Sequence, residues 1–140
     1  VLGDALGIAP TAVAFAAGPW GKPALAGPRP IDLRFNLSHA EDVAVAALAV
    51  GREVGVDIEA APDEPPDPAV LSVALSRREL VALDRLPAHQ RALGFVTLWT
   101  RKEAVLKAAG CGPMRDPAEV EGGVANGRIA PLPRSAPVGG

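Results

Sequence analysis

The sequence predicts an α+β fold, and three observations carry that expectation. Leu33, Phe35 and Leu37 alternate with other residues, and Val43 to Val50 is an unbroken run of small apolar residues, so the first half holds strands. Beyond a proline-rich stretch the apolar period lengthens to that of a helix, opening on a capping-box pattern at Ser76 and Glu79. Strands grouped ahead of helices point to an antiparallel, meander-like sheet rather than a parallel one.

Taken in order, Leu2 and Leu6 stand at helical spacing ahead of Gly7, as in the last turn of a helix. The first residue is Val1 rather than Met, so the chain is read as a fragment of something longer. Residues 18–30, GPWGKPALAGPRP, read as loop. A short strand spans 32–37, a polar turn 38–42 (SHAED), and a second strand 43–50, expected to be buried because both its faces are apolar. Gly51, Arg52 and Glu53 form a hairpin turn into a third strand, 54–59. Four prolines exclude regular structure from 60–70. The helix capped at Ser76 should bury Leu80, Val81 and Leu83, and 88–99 continues helically through Leu93, Val96 and Trp99. A second capping-box pattern, Thr100 and Glu103, starts a helix that stops at Gly110, and the tail from Pro131 is expected to be disordered.

With 140 residues, 49% of them apolar, the chain can bury a core of its own. A net charge of −2 offers no general attraction to nucleic acid or to anionic membrane. The single cysteine, Cys111, excludes disulfide frameworks and multi-cysteine zinc sites, and a reduced cytoplasm is the expected compartment. No apolar run nears the roughly 20 residues that span a bilayer, and VLGDALGIAP lacks a signal peptide's basic start. Eleven arginines accompany only three lysines, Lys22, Lys102 and Lys107, so those lysines mark places where an ammonium itself is needed.

Four motifs carry chemistry. In GVDIE (55–59), Asp57 and Glu59 would share one face of a strand, either as oxygen ligands for a hard cation or as a strand end in water. In WTRKEAVLKAAG (99–110), Glu103 and Lys107 at i, i+4 fit a surface salt bridge, or a carboxylate and an ammonium serving a metal and a phosphate together. FNLSHA (35–40) sets Ser38 and His39 in a turn, where they either hydrogen-bond locally or contact a ligand. Lys22 in GKP is a solvated lysine or an anion contact. His89 is assigned to the surface and Cys111 to a structural role. There is no P-loop, dinucleotide fingerprint, H-E-x-x-H or G-x-S-x-G motif.

In order, GKP, FNLSHA, GVDIE and WTRKEAVLKAAG resemble the signature of the 4′-phosphopantetheinyl transferases of the Sfp type, over residues 1 to about 120. The resemblance implies two pseudo-symmetric α+β lobes with coenzyme A bound between them. The N-terminal lobe would be 1–52 and incomplete, the C-terminal lobe with its metal site 53–130, and 131–140 a disordered tail. It implies Mg²⁺-dependent transfer of phosphopantetheine from coenzyme A to a serine of an apo acyl or peptidyl carrier protein, releasing adenosine 3′,5′-bisphosphate. Asp57, Glu59 and Glu103 match the metal ligands and Lys107 the lysine beside the pyrophosphate. Lys22, Ser38 and His39 match residues that hold the coenzyme's phosphates. Glu103 is the candidate general base, and the acceptor serine belongs to the partner, so Ser38 is no nucleophile. Family members carry further residues ahead of the equivalent of Val1 and closing strands past the equivalent of 125, which are hard to find in RIAPLPRSAPVGG. By the same analogy the protein would be a monomer, while its composition points to the cytoplasm and away from nucleic acid and membrane. Two rivals remain: a non-catalytic homologue that binds coenzyme A or carrier protein, and a metal-dependent nuclease, which would need a lysine where Ala61 stands.

Overall fold

A computed structural model of the protein describes residues 1–27, 31–110 and 115–130. Among these described residues four helices, α1 (Leu2–Leu6), α2 (Pro68–Ala74), α3 (Arg77–Asp84) and α4 (Ala88–Ala109), accompany six strands. The strands are β1 (Phe15–Ala17), β2 (Pro23–Leu25), β3 (Leu33–Ala40), β4 (Val43–Val50), β5 (Val124–Ala125) and β6 (Arg128–Ile129). They pair β1–β2, β3–β4 and β5–β6, each pair antiparallel, so the α+β expectation holds. Apolar side chains gather in two clusters. One holds Leu25, Leu33 and Phe35 beneath Leu2, Leu6 and Val13; the larger one joins Ala74, Leu75, Leu83, Phe95, Leu98 and Val124.

Several local expectations are met for the stated reasons. Gly7 ends α1 in the left-handed region (φ 67°), and Gly110 does the same for α4 (φ 64°). Ser76 and Glu79 form the reciprocal capping box at the head of α3.

Other expectations are corrected. Residues 54–59 are not a strand of the β3–β4 sheet. The segment runs beside β3 on side-chain contacts: Val56 N–H donates to Asn36 Oδ1 (2.9 Å) and Ile58 N–H to Ser38 Oγ (3.4 Å). Both partner numbers rise together, so it travels in the direction of β3 and makes no meander. β4 holds no buried residue, and Val43 and Val50 are more than half exposed. It pairs with β3 alone, so an apolar sequence on both faces does not by itself cover either.

The expected loop 18–30 contains β2, and the turn 38–42 shrinks to Glu41 and Asp42 because β3 continues to Ala40. The proline stretch begins a helix: Pro68 occupies the first turn of α2, where no N–H partner is needed, and the Asp67 carboxylate accepts from Ala69 N–H. Thr100 starts nothing, since its hydroxyl donates to the Val96 carbonyl in the middle of one continuous α4. Val81 and Leu93 are exposed, and the buried stripe of α4 is Ala92, Phe95, Leu98, Lys102 and Leu106. The expected disordered tail, 131–140, and Cys111 lie outside the described residues. A short β5–β6 hairpin occupies 124–129. Asn126 and Gly127 turn it with φ of 51° and 68°, a type I′ pattern that the sequence advertises as Asn-Gly.

A buried ion pair joins the helices. Glu79 and Lys102 are both fully buried, with Lys102 Nζ 2.5 Å from Glu79 Oε2. Lys102 also donates to the Pro117 carbonyl (2.8 Å), while Glu79 Oε1 accepts from Gly122 N–H (2.6 Å) and Oε2 from Ser76 N–H (2.8 Å). Of the three lysines, this one therefore works inside the fold. Lys102→Ala strands a buried carboxylate and should destabilise the protein by about 3–5 kcal/mol, read by denaturant unfolding. A loss below about 1 kcal/mol would show that the pair is not a structural element.

Candidate active site

The GVDIE segment is held between β3 and α4 by one glycine. A Cβ on Gly55 would lie within 3.0 Å of both the Ala104 carbonyl oxygen and the Ala108 amide nitrogen, so only glycine lets the segment lie on the helix backbone. From there Asp57 points inward and is 3% exposed. Lys107 Nζ approaches Asp57 Oδ1 to 2.5 Å and donates to Ser38 Oγ (3.0 Å). Ser38 in turn donates to the same Asp57 oxygen (2.9 Å). The positive charge beside GVDIE in this structure is thus the Lys107 ammonium. The i, i+4 salt bridge open to Glu103 is not the one formed.

Glu103 lies one turn before Lys107 on α4. Burial raises its carboxyl above the ordinary carboxylate range, and the negative charges of Asp57 and Glu59 push the same way against the pull of Lys107. The three acids therefore share one electrostatic neighbourhood. Asp57 Oδ2 is buried with no hydrogen-bond partner, although ionised carboxylates normally fill such positions. Among the described residues, however, no three His, Cys, Asp or Glu side chains come close enough to share one metal ion. Glu59 is exposed at the edge of the group.

A raised carboxyl binds its proton more tightly in the folded state than in the unfolded one. Stability is then greatest below the ordinary glutamate range and falls as pH climbs through it to the folded value. Glu103→Gln removes that fall. In the absence of divalent ions it should raise the Tm at pH 7 by roughly 1–3 °C, with the difference closing near pH 4. An equal or lower Tm at pH 7 would contradict the raising of the Glu103 carboxyl by burial and by its acidic neighbours.

The other matched residues take separate places. Lys22 reaches Glu53 Oε2 (2.8 Å) and the carbonyls of Val54 (3.2 Å) and Ala108 (3.1 Å). It ties the loop before β2 to the start of the GVDIE segment and to the last turn of α4, where unpaired carbonyls favour a cation. The ammonium holds the Glu53 carboxyl below its ordinary range. His39 is exposed on β3, opposite Ala44. A cleft of about 630 Å³ is lined by Trp20, Lys22, Asn36, Glu103, Lys107 and Arg115, among others. Asn36 and Gly55 escaped the sequence reading as site residues. An asparagine inside an apolar strand was the available signal for the first, and a glycine opening an acidic strand motif for the second.

Comparison with known proteins places the chain in a family. The family profile described as the 4′-phosphopantetheinyl transferase superfamily matches residues 53–127, from the Lys22-bound Glu53 to the turn of the last hairpin. The chain is 37% identical to the 4′-phosphopantetheinyl transferase HetI of Nostoc sp. over 114 residues, 80% of this chain and 48% of the relative. It is 37% identical to the 4′-phosphopantetheinyl transferase AcpT of Escherichia coli over 93 residues, 66% of this chain and 47% of the relative. It is 31% identical to the 4′-phosphopantetheinyl transferase gsp of Aneurinibacillus migulanus over 81 residues, 58% of this chain and 33% of the relative. The chain thus spans about half the length, or less, of the curated relatives it matches. The match over 53–127 takes in Gly55, Asp57, Glu103 and Lys107, and the chain that carries them belongs to the 4′-phosphopantetheinyl transferase superfamily.

Proposed function

We propose that this chain carries the metal and pyrophosphate side of an enzyme that transfers the 4′-phosphopantetheine of coenzyme A to a serine of an apo acyl or peptidyl carrier protein, leaving adenosine 3′,5′-bisphosphate. The observation that carries the proposal is the Asp57–Lys107 pair, with the Glu103 carboxylate in its field, beside a cleft lined by Lys22, Glu103 and Lys107. In this reading 1–52 and 53–130 are parts of two lobes, each with one of the two apolar clusters. The enzyme acts as a monomer in a reduced cytoplasm. Among the described residues no helix is long and apolar enough to cross a membrane.

The donor chemistry suits Mg²⁺: carboxylate oxygens only, one of them Asp57 Oδ2, buried and unpartnered, in a group of like charges. Asp57 and Glu103 would hold the ion with Glu59 at its edge, and substrate oxygens and water would complete the shell. When bound, Mg²⁺ supplies positive charge to the diphosphate oxygens. Lys107 orients Asp57 and, on turning to the substrate, offsets charge on the departing bisphosphate. Glu103 is assigned to take the proton of the acceptor hydroxyl. Ser38 serves Asp57 and Lys107 through hydrogen bonds, and the nucleophile belongs to the carrier. Lys22 and His39 are assigned to the coenzyme's phosphates, Lys22 by exchanging Glu53 for a phosphate oxygen.

The test is to incubate the protein with Mg²⁺, coenzyme A and apo carrier proteins and to weigh the carriers. Gain of one phosphopantetheine is expected. No gain on any carrier, with coenzyme A still bound, would replace the transferase by a binding-only homologue.

A further inference from the structure

The cleft beside Lys107 has an outer wall that belongs to neither β3 nor α4. Arg115 and Pro117 form part of it, and both precede the short 3-10 turn Pro117–Glu119 or open it. That stretch has few apolar anchors before Val120. The turn packs against α2 and α4, and its hydrogen bonds to the body of the protein run to the buried ion pair. Lys102 Nζ donates to the Pro117 carbonyl at one end, and Glu79 Oε1 accepts the Gly122 amide at the other. Arg101 adds a bond to the Gly122 carbonyl (3.2 Å). The fit at Gly122 is close: an added Cβ would meet Glu79 Oε1 at 2.8 Å and the Leu98 carbonyl oxygen at 3.0 Å.

We propose that the Glu79–Lys102 pair is a positioning device, a clamp that fixes residues 115–122 as the outer wall of the cleft and thereby sets its width for the coenzyme. Lys102 directly precedes Glu103 on α4, so one helix delivers a carboxylate to the cleft and an ammonium to the wall behind it. The wall is held by buried charges, since a shifted wall would take the Pro117 carbonyl from Lys102 and the Gly122 amide from Glu79 and leave each charge short of one hydrogen bond in the core. The width argument rests on the coenzyme-binding reading given above; the clamp itself does not.

The double variant Glu79→Gln/Lys102→Met removes both charges together, leaving neither alone in the core. Gly122→Ala keeps both charges and wedges the wall against Glu79 Oε1 and the Leu98 carbonyl. Amide hydrogen exchange is read at 115–122 and along α3 and α4, and coenzyme A affinity by calorimetry. Both variants should exchange at least about tenfold faster at 118–122 while α4 keeps its protection, and both should bind coenzyme A about tenfold more weakly. Native exchange at 118–122 in both variants overturns the clamp. Faster exchange with native affinity overturns its role in setting the cleft. If the unaltered protein binds no coenzyme A, the functional reading fails, and the exchange result still decides the clamp. A variant that loses protection throughout marks the pair as a general stabiliser and counts against the proposal.

Discussion

Replacing Asp57 with alanine should lower phosphopantetheinyl transfer by at least about 10²–10³-fold, the range seen when a preorganised electrostatic group is removed from a reacting centre. Stability should move far less. Asp57 Oδ2 has no partner to lose, and Lys107 is 31% exposed, so its ammonium can turn to water when the carboxylate is gone. Asp57→Asn keeps shape and hydrogen bonding to Ser38 but removes the charge, and it should be nearly as inactive. Steady-state rates beside thermal unfolding of the same samples separate the two effects. Near-normal turnover in both variants would show that Asp57 pairs with Lys107 for structure alone.

Gly55→Ala should be costly on both counts. The added carbon meets backbone atoms of α4, and no side-chain rotation relieves it. Either residues 53–59 lift away or the helix shifts. Overpacking of this kind costs about 1–3 kcal/mol, and a backbone obstacle puts this case at the upper end, a drop of about 10 °C in Tm. The lifted segment takes with it the Val56–Asn36 bond and the Asp57–Lys107 contact, so transfer should fall along with stability. Gly51→Ala is the control. Gly51, unlike Gly55, has a positive φ (67°), but a Cβ there meets nothing within 4 Å, so its effect should be limited to local backbone strain and leave the site intact. Equal behaviour of the two variants would remove the close-approach argument.

Much of this protein follows from local chemistry and was readable before any coordinates. The capping box at Ser76, the glycine stops at Gly7 and Gly110 and the alternation in β3 depend on neighbours a few residues away. So does the order of the motifs that placed the chain in its superfamily. Misreadings arose wherever distant groups compete with local ones. GVDIE has the pattern of a strand, yet it bonds to side chains of β3 because Gly55 lets it settle on α4. Thr100 and Glu103 spell a helix start, yet the packing of Phe95 and Leu98 on one side and Leu106 on the other carries α4 straight through. Pro68 reads as a breaker until Asp67 is seen capping the helix that it opens.

The same division runs through the three lysines. Composition singles them out together, and the motif resemblance gives phosphate roles to Lys22 and Lys107 but none to Lys102. The fold gives Lys22 to the end of α4, Lys102 to a buried pair with Glu79, and Lys107 to Asp57. An ammonium takes its role from which carboxylates and carbonyls lie within about 3 Å, and those come from 15 to 86 residues away. Sequence spacing reports the neighbours on one helix face. Long-range packing chose among the remaining partners.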